Sequence, residues 1–335
     1  YGSEYIIMEF LAGNRIRGSN NERMTAGGAG GTITTAGTKT IHTFLLADTG
    51  TNFTPKLAFN VDLLAVAGGG SGGGVYYSGG GGAGEVYANT GLGVTAQNYP
   101  ITIGAGGAGG TGSSGSGSNG GYTSVLGITV DGGGQGGTGA NTDGFDGGSG
   151  GGGTELAGAG GASTSSGANY YGNAGGSAVQ TGTWGTHNAS GSGGGAGAVG
   201  GAGNPSLTAG LGGIGIQNNF QTGVNQWYGA GGTGNKYGYA SSGWSDRVND
   251  IGGQGSGGFN HTTADLTKLD ATQNTGSGGG GSDMRQPSYT RAGNGANGIV
   301  IISYTTGANI LDGSIFYETD TSKSYVLNSG TWTEV

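Results

Sequence analysis

The segment Gly68-Gly69-Gly70-Ser71-Gly72-Gly73-Gly74 decides the fold, because it is one of many glycine runs in a chain with 90 glycines among 335 residues. Similar runs occur at 132–134, 150–153, 193–195 and 278–281. Glycine has no side chain to bury, and ordering its backbone costs about 0.5–1 kcal/mol more than ordering alanine. These segments therefore exclude an ordinary apolar core, and an ordered state must be held by backbone hydrogen bonds and close backbone packing.

Polyproline-II geometry is the arrangement that best satisfies such runs. This helix has three residues per turn and no internal hydrogen bonds, so its N–H and C=O groups are free to bond neighbouring helices. The absence of Cβ atoms allows close approach, and weak Cα–H···O contacts add to it. We predict a mostly irregular and β fold, with layers of glycine helices and essentially no α-helix. Glycine-rich β-strands and a disordered low-complexity linker are the alternatives.

Short β-type segments bracket the glycine runs. Residues 40–46, 61–67, 99–103 and 128–130 have strand length, β-branched content and glycine boundaries. The apolar segment 299–304 is continuous enough to be buried on both faces, so we expect it to pair with strands from residues 40–67 and to close the domain.

Changes in composition divide the chain into three parts. Residues 1–31 form an attachment or connecting segment, 32–306 form the glycine-rich domain with aromatic loops, and 307–335 predict a small β-meander of three strands. The chain begins with Tyr1 rather than Met, so we expect a processed product or an incomplete amino terminus.

Composition and charge argue against several classes of partner. The net charge is −8, and no Lys or Arg lies between Lys56 and Lys236, so the chain lacks the basic surface that nucleic-acid binding requires. No apolar run approaches the roughly 20 residues of a membrane span, so we expect no membrane insertion. The absence of cysteine excludes disulfides and thiolate metal sites.

Two short motifs favour a structural interpretation over ligand binding. The run Gly104 to Gly109 matches the dinucleotide pattern G-x-G-x-x-G after a strand, but no helix follows it, so the phosphate-binding mechanism is missing. Asp143 and Asp146 offer two carboxylates for calcium without the spacing of a known calcium loop, and an exposed turn is the alternative.

The titratable residues give little support for catalysis, and we expect no enzyme, cofactor or metal. The carboxylates Asp246 and Asp250 form the pair that we considered for glycan hydrolysis. The histidines are too far apart in the sequence to indicate a metal site or a catalytic triad, and the first of them is expected to be structural: His42, His187 and His261.

The order of the strand phrases resembles a glycine-rich domain of bacteriophage tail proteins. The resemblance spans about residues 32–306 and rests on the phrases at 40–44, 53–55, 61–70, 101–107 and 298–304. It implies a tail-fibre or tip-adhesin protein of the virion tail, with stacked polyglycine helices and variable loops that touch the host. The implied partners are a host cell-surface glycan or outer-surface protein, other virion tail proteins, and copies of the chain itself.

The excursions between glycine runs carry much of the aromatic surface. Aromatic side chains on a rigid scaffold provide amphipathic contact area at little entropic cost, which suits sugar faces or protein patches. The alternative is that they cover the glycine layers as local small cores. The candidate receptor-binding residues are Tyr76, Tyr77, Tyr170, Tyr171, Trp184, Trp227, Tyr228, Tyr237, Tyr239, Trp244, Asp246 and Arg247.

A subunit of an extracellular structural filament is the main alternative function. Its terminal segments would dock into neighbouring subunits by strand addition. An ice-binding protein would need a flat and regular face of alanine or threonine, whereas this chain is rich in aromatic loops. An enzyme that degrades capsule polysaccharide is a further alternative.

Overall fold

The computed structural model has a β and irregular architecture, and the residues that it describes contain one short 3-10 helix (Leu46–Asp48) and no α-helix. None of the described residues lies in a helix long and apolar enough to cross a membrane. The described residues are 9–11, 15–18, 27–56, 58–74, 78–111, 115–139, 142–154, 157–180, 188–203, 210–235, 269–282, 291–305, 315–328 and 331–335.

A six-stranded antiparallel sheet forms the base of the glycine-rich domain. The strands are β4 (Thr32–Ala36), β5 (Lys39–Phe44), β7 (Phe59–Val66), β8 (Val86–Val94), β12 (Tyr170–Tyr171) and β17 (Ile299–Thr305). Their order in the sheet is β12-β8-β7-β17-β5-β4, so the strand nearest the C-terminus of the domain lies between two early strands.

The glycine-rich domain contains four smaller sheets within the described residues. They are β3 (Gly28–Ala29) with β6 (Asn52–Pro55) and β9 (Tyr99–Pro100), β10 (Thr123–Val125) with β11 (Ile128–Val130), β13 (Val179–Gln180) with β14 (Asn188–Ala189), and β15 (Ile216–Asn218) with β16 (Gln226–Tyr228).

The prediction for the segment 299–304 is confirmed. Strand β17 pairs antiparallel with both β5 and β7, and its residues from Ile299 to Tyr304 are buried. Because side chains alternate between the faces of a strand, β17 contributes to the cores on both sides of the sheet. Val300 and Ile302 belong to one apolar cluster, whereas Ile299 and Ile301 belong to the other.

The glycine segments form a lattice of polyproline-II helices, as the sequence predicts. In segment 68–74, the N–H groups of successive residues donate to three different segments, and the pattern repeats every third residue. Gly69 donates to the carbonyl of Ala296 and Gly72 to that of Gly293, so these two segments run antiparallel. A three-residue repeat of this kind requires three residues per turn and distinguishes the lattice from a β-ladder.

Within the described residues, fifteen segments make up this lattice, and we label them PG1 to PG15 in chain order from their hydrogen-bond pattern. They are PG1 68–74, PG2 79–84, PG3 104–110, PG4 115–121, PG5 132–137, PG6 142–147, PG7 149–154, PG8 158–163, PG9 173–178, PG10 190–195, PG11 198–203, PG12 210–215, PG13 230–235, PG14 276–281 and PG15 291–298.

The innermost helices have neighbours on every side. PG1 exchanges backbone hydrogen bonds with PG2, PG3, PG4, PG5, PG14 and PG15. At Gly72, an added Cβ would overlap the carbonyl oxygen of Gly280, far inside the 3.0 Å that real Cβ atoms keep. Backbone therefore fills the space that side chains occupy in an ordinary core, and only glycine fits at such positions.

The two terminal segments meet in a separate five-stranded sheet. The strands are β1 (Glu9–Leu11), β2 (Arg15–Gly18), β18 (Ile315–Glu318), β19 (Ser324–Asn328) and β20 (Thr331–Glu334), in the order β1-β2-β18-β19-β20.

The pairing of the terminal strands differs from the sequence-based division of the chain. Strands β18 to β20 form the expected antiparallel meander, and β2 pairs in parallel with β18. The described strands of segments 1–31 and 307–335, which the sequence analysis places in separate parts of the chain, thus share one sheet. In addition, β3 pairs with β6 inside the glycine-rich domain, which includes residues from before position 32. Local patterns do not reveal a pairing across so large a sequence separation.

His42 has the structural role that the sequence predicts. Its imidazole is fully buried, with Nδ1 2.7 Å from the carbonyl oxygen of Gly30 and Nε2 3.0 Å from the hydroxyl of Tyr304. Because a carbonyl only accepts, Nδ1 carries the proton, and the Tyr304 hydroxyl donates to Nε2. That hydroxyl in turn accepts a 2.8 Å hydrogen bond from the N–H of Gly28. The network ties β3 and β5 to β17.

The buried imidazole makes stability depend on pH. Desolvation lowers the pKa of His42 below its ordinary value of 6.5, and the weaker opposing effect of the hydrogen bond to Gly30 does not offset it. The unfolded chain therefore binds a proton at a higher pH than the folded protein does. The contribution of the neutral His42 to the unfolding free energy is therefore fully present above the pKa of histidine in the unfolded chain. This contribution is lost as the pH drops below about 6.5.

We expect the unfolding free energy to decrease between pH 7 and pH 5 and this decrease to be smaller in a His42→Gln variant. Denaturant titrations at several pH values measure both slopes. Burial also raises the pKa of the Glu85 carboxyl, which acts in the opposite sense, but Glu85 is present in both proteins and cancels in the difference. Parallel slopes for the two proteins would contradict the assignment to His42.

Candidate functional site

The glycine lattice has two distinct ends. We call the end that meets the six-stranded sheet the proximal end and the opposite end the distal end. PG1 begins directly after β7 at the proximal end, and PG2 runs back antiparallel to it and leads into β8. Seven residues of polyproline-II helix rise about 3.1 Å each, so roughly 20 Å separates the two ends.

Eight excursions of the chain begin and end on described residues at the distal end. The residues on both sides of each excursion lie at or next to the ends of lattice helices that face away from the sheet, as the directions of the hydrogen-bonded helices require. Excursion 181–187 is flanked by β13 and β14, and Leu269, which follows excursion 236–268, accepts a hydrogen bond from the N–H of Gly280 near the distal end of PG14. The excursions themselves lie outside the described residues: 75–77, 112–114, 140–141, 155–156, 181–187, 204–209, 236–268 and 283–290.

Both terminal segments leave the glycine-rich domain at the proximal end. Gly27 lies beside the ring of Tyr304, and the next residue, Gly28, donates to the hydroxyl of that tyrosine. The chain therefore enters and leaves the domain at neighbouring points. The described residues from which the excursions start and those from which the terminal segments leave are therefore at opposite ends of the lattice.

Four of the twelve candidate receptor-binding residues lie at the proximal end. Tyr170 and Tyr171 form β12, which pairs with β8 at the edge of the large sheet. The ring of Tyr170 packs against Tyr87 with a centroid distance of 4.8 Å. Tyr171 is 38% exposed and is accessible to a partner.

The other two described candidates belong to the hairpin of β15 and β16. Trp227 is partly exposed. Tyr228 is only 3% exposed and packs in the cluster with Ile301 and Val86, and its hydroxyl donates to Oε1 of Gln221 at 2.9 Å. Burial raises the pKa of the Tyr228 hydroxyl to about 12. Its assignment to receptor binding is thus corrected to core packing, because the hairpin folds over a sheet face that the sequence alone does not locate.

The remaining candidates lie outside the described residues. They belong to excursions that leave from the distal end: Tyr76, Tyr77, Trp184, Tyr237, Tyr239, Trp244, Asp246 and Arg247. The carboxylate pair considered for glycan hydrolysis, Asp246 and Asp250, is also outside them.

Polar side chains at three-residue spacing complete the hydrogen bonding at the edges of the lattice. Asn294 and Asn297 on PG15 accept, through Oδ1, hydrogen bonds of 2.8 Å and 2.9 Å from the N–H groups of Gly109 and Gly106 on PG3. At these positions the side-chain amide oxygen of the asparagine takes the role that a backbone carbonyl of a neighbouring helix has inside the lattice. The i, i+3 repeat of such residues inside glycine runs is a signal that sequence reasoning overlooked.

Asp143 and Asp146 serve the same purpose. Their Oδ1 atoms accept hydrogen bonds from the N–H groups of Ala159 and Ala162 on PG8, at 2.7 Å and 2.6 Å. The carboxylates thus complete the hydrogen bonding between two parallel glycine helices, which neither the calcium hypothesis nor the exposed-turn alternative anticipates. Within the part of the chain that the structure describes, no group of three or more His, Cys, Asp and Glu residues has the arrangement of a metal site.

The G-x-G-x-x-G run forms lattice helix PG3. Its amides are engaged: Gly104 donates to Oγ1 of Thr123 and Gly107 to the carbonyl of Gly69, at 2.9 Å and 2.8 Å. The structural interpretation of this run is therefore correct, because amides committed to the lattice do not bind a phosphate.

Glu85 is a buried carboxylate at the proximal end. It is 4% exposed and lies beside Asp131, whose N–H donates to Oε2 of Glu85 at 3.1 Å. Desolvation raises the pKa of the Glu85 carboxyl, and hydrogen bonds from Ser165 and Asp131 partly offset this effect. A carboxyl that is closed off from solvent and already bonded to the backbone has a structural role in joining PG2 to PG5.

Comparison with known families agrees with this architecture. The chain belongs to the glycine-rich domain family, whose sequence model matches residues 46–305. The match begins near the short 3-10 helix and ends at the last residue of β17, so it covers the lattice and most of the six-stranded sheet. Among curated proteins, none is significantly similar to the chain.

Proposed function

We propose that the chain is a non-enzymatic tail-fibre or tip protein of a virion tail, which presents its distal excursions to a receptor on the host surface. The receptor is a host cell-surface glycan or an outer-surface protein. The observation that carries the proposal is the polarity of the lattice: eight excursions start and end at the distal end, whereas both terminal segments leave at the proximal end.

A rigid lattice with this polarity suits an adhesin for physical reasons. Backbone hydrogen bonds hold the helices, so the residues between them are free to vary without disturbing a side-chain core. The terminal sheet joins the first and last strands of the chain and gives one point of attachment to other virion proteins. The resemblance to phage tail proteins supports the same assignment.

We expect virions that carry a Tyr237→Ala, Tyr239→Ala and Trp244→Ala chain to adsorb to host cells at least about tenfold more slowly. Truncating an aromatic side chain at the centre of an interface to alanine typically costs about 2 kcal/mol or more of binding free energy. The measurement is the adsorption rate constant from the depletion of free virions, compared with unmodified virions.

A matched control places the same kind of change at the proximal end. Virions with Tyr171→Ala and Trp227→Ala lose two accessible aromatic side chains near the attachment end and should adsorb at the normal rate. Unchanged adsorption by the triple variant would refute the site, and loss of adsorption only in the proximal control would reverse the proposed orientation.

A filament subunit is the second candidate function. It is favoured by the outer strands of the terminal sheet, because β1 and β20 each have a strand partner on one side only within the described residues. Such edges accept a strand from a neighbouring subunit. Labelling with an antibody to residues 235–250 distinguishes the two functions by electron microscopy, since label at virus tail ends supports the adhesin and label repeated along thin fibres supports the filament.

A further inference from the structure

One side of the glycine lattice carries aliphatic side chains that the fold does not bury. Val199 is 58% exposed, Leu211 47% and Ile214 45%, and Ala202 is also exposed. We call these four residues the aliphatic face. They lie on PG11 and PG12 and are spaced three residues apart on each helix, so on each helix they project from the same side.

The two helices are direct neighbours, which makes the face continuous. The N–H of Gly201 on PG11 donates to the carbonyl of Leu211 at 2.7 Å, and the N–H of Gly197, which directly precedes PG11, donates to the carbonyl of Ile214 at 2.8 Å. PG11 and PG12 therefore run antiparallel in contact. Their inner sides bond PG9, PG10 and PG13, and the aliphatic side chains stand on the outer side.

Other sides of the lattice bear different residues at the equivalent outward positions. PG3 exposes Ala105 and Ala108, PG8 exposes Ala159 and Ala162, and PG9 exposes Ser177. These residues are small or polar, as expected for a surface in contact with water. PG6 exposes a single large apolar residue, Phe145, at 46%, whereas PG11 and PG12 carry several on adjacent helices. The large aliphatic residues on PG11 and PG12 neither fill a core nor supply a hydrogen-bond acceptor, so their exposure indicates a contact surface.

We propose that the aliphatic face docks a second copy of this chain. The first argument is electrostatic. A protein with a net charge of −8 repels a second copy of itself, but no Asp, Glu, Lys or Arg occurs between Glu155 and Lys236. The aliphatic face lies in this uncharged stretch, so two copies meet there with the least repulsion between like charges.

The second argument concerns spacing. Side chains three residues apart on a polyproline-II helix repeat about every 9.3 Å. Side chains on one face of a β-strand repeat about every 6.6–6.8 Å, and side chains one turn apart on an α-helix repeat about every 5.4 Å. Neither repeat keeps in register with the repeat of about 9.3 Å on the aliphatic face. The same face of a second copy has an identical repeat.

A two-fold axis gives a self-complementary contact. With the axis parallel to the helices, Leu211 and Ile214 of each copy lie against Val199 and Ala202 of the other, which sets the larger side chains opposite the smaller ones. The proposal concerns the side of the lattice, and it does not depend on the function proposed for the distal excursions.

The test is the oligomeric state of the full chain in solution. We expect sedimentation velocity to show a reversible dimer whose population rises with concentration. A Leu211→Asp and Ile214→Asp variant should raise the dissociation constant by about tenfold or more, because two carboxylates would then be buried in the contact. A control with Ala105→Asp and Ala108→Asp adds the same charge to another side and should dimerise like the unmodified protein.

The outcomes separate the possible occupants of the face. At concentrations low enough for the unmodified protein to be monomeric, both variants should keep its thermal unfolding midpoint, because the substituted side chains are then exposed and no dimer contact stabilises the folded state. A protein that stays monomeric at all concentrations overturns the proposal. A monomeric protein whose Leu211 and Ile214 variant unfolds at a lower temperature indicates instead that a segment of the same chain covers the face. A dimer that both variants weaken equally, or that neither weakens, also overturns it.

Discussion

A Gly72→Ala variant is expected to lose at least about 3 kcal/mol of unfolding free energy, even though the substitution adds only one methyl group. The new Cβ would overlap the carbonyl oxygen of Gly280, which already accepts a hydrogen bond from the N–H of Gly293. The helices must separate to admit it. Overpacking costs about 1–3 kcal/mol, and each buried hydrogen bond that breaks adds about 1–3 kcal/mol.

A second glycine provides the control for this variant. At Gly93 on β8, an added Cβ would meet only Oδ1 of Asn60, at 3.8 Å. Alanine there restricts the unfolded chain without straining the folded one, so Gly93→Ala should be neutral or stabilise by up to about 1 kcal/mol. Urea unfolding of the three proteins gives the comparison. Equal stability of the two variants would show that backbone contacts do not determine the packing of the lattice.

Removal of β17 is expected to abolish folding of the glycine-rich domain. A chain that ends at Gly298 lacks the five buried apolar side chains of Ile299, Val300, Ile301, Ile302 and Tyr304. Each contributes about 1.5–3 kcal/mol through burial, so their sum, roughly 8–15 kcal/mol, equals the whole stability of a typical domain. Strands β5 and β7 would also lose the strand that joins them.

The matched control for this deletion is a chain that ends at Thr305. It keeps the whole of β17 and removes only the terminal strands β18 to β20. We expect this chain to unfold cooperatively on heating and to resist proteolysis, and the chain that ends at Gly298 to do neither. Cooperative unfolding of the shorter chain would contradict the central role of β17.

Composition and local pattern were sufficient to predict the type of structure. Runs such as Gly68 to Gly74 leave polyproline-II helices as the state that satisfies their backbone groups, and the continuous apolar segment 299–304 predicts a strand buried on both faces. These inferences depend on what each residue lacks or buries, and so they can be made from short stretches of sequence.

The pairing of the helices could not be predicted in the same way. One glycine backbone is like another, so no side chain marks PG15 rather than PG8 as the neighbour of PG1. The roles of Asp143 and Asp146 depend on this pairing, as does the burial of Tyr228 under the hairpin. Candidate residues chosen for their aromatic character therefore include some that the fold uses for packing.

The lattice has an unusual thermodynamic consequence because polar backbone fills its interior. In a protein with an apolar core, the stabilisation from hydrophobic burial decreases on cooling. The reason is that hydration of the apolar surface exposed on unfolding gives unfolding a large positive heat capacity change. Exposure of backbone amides has the opposite sign. The glycine helices thus offset part of the heat capacity of the sheet, which flattens the stability curve of the domain and helps it to remain folded in the cold.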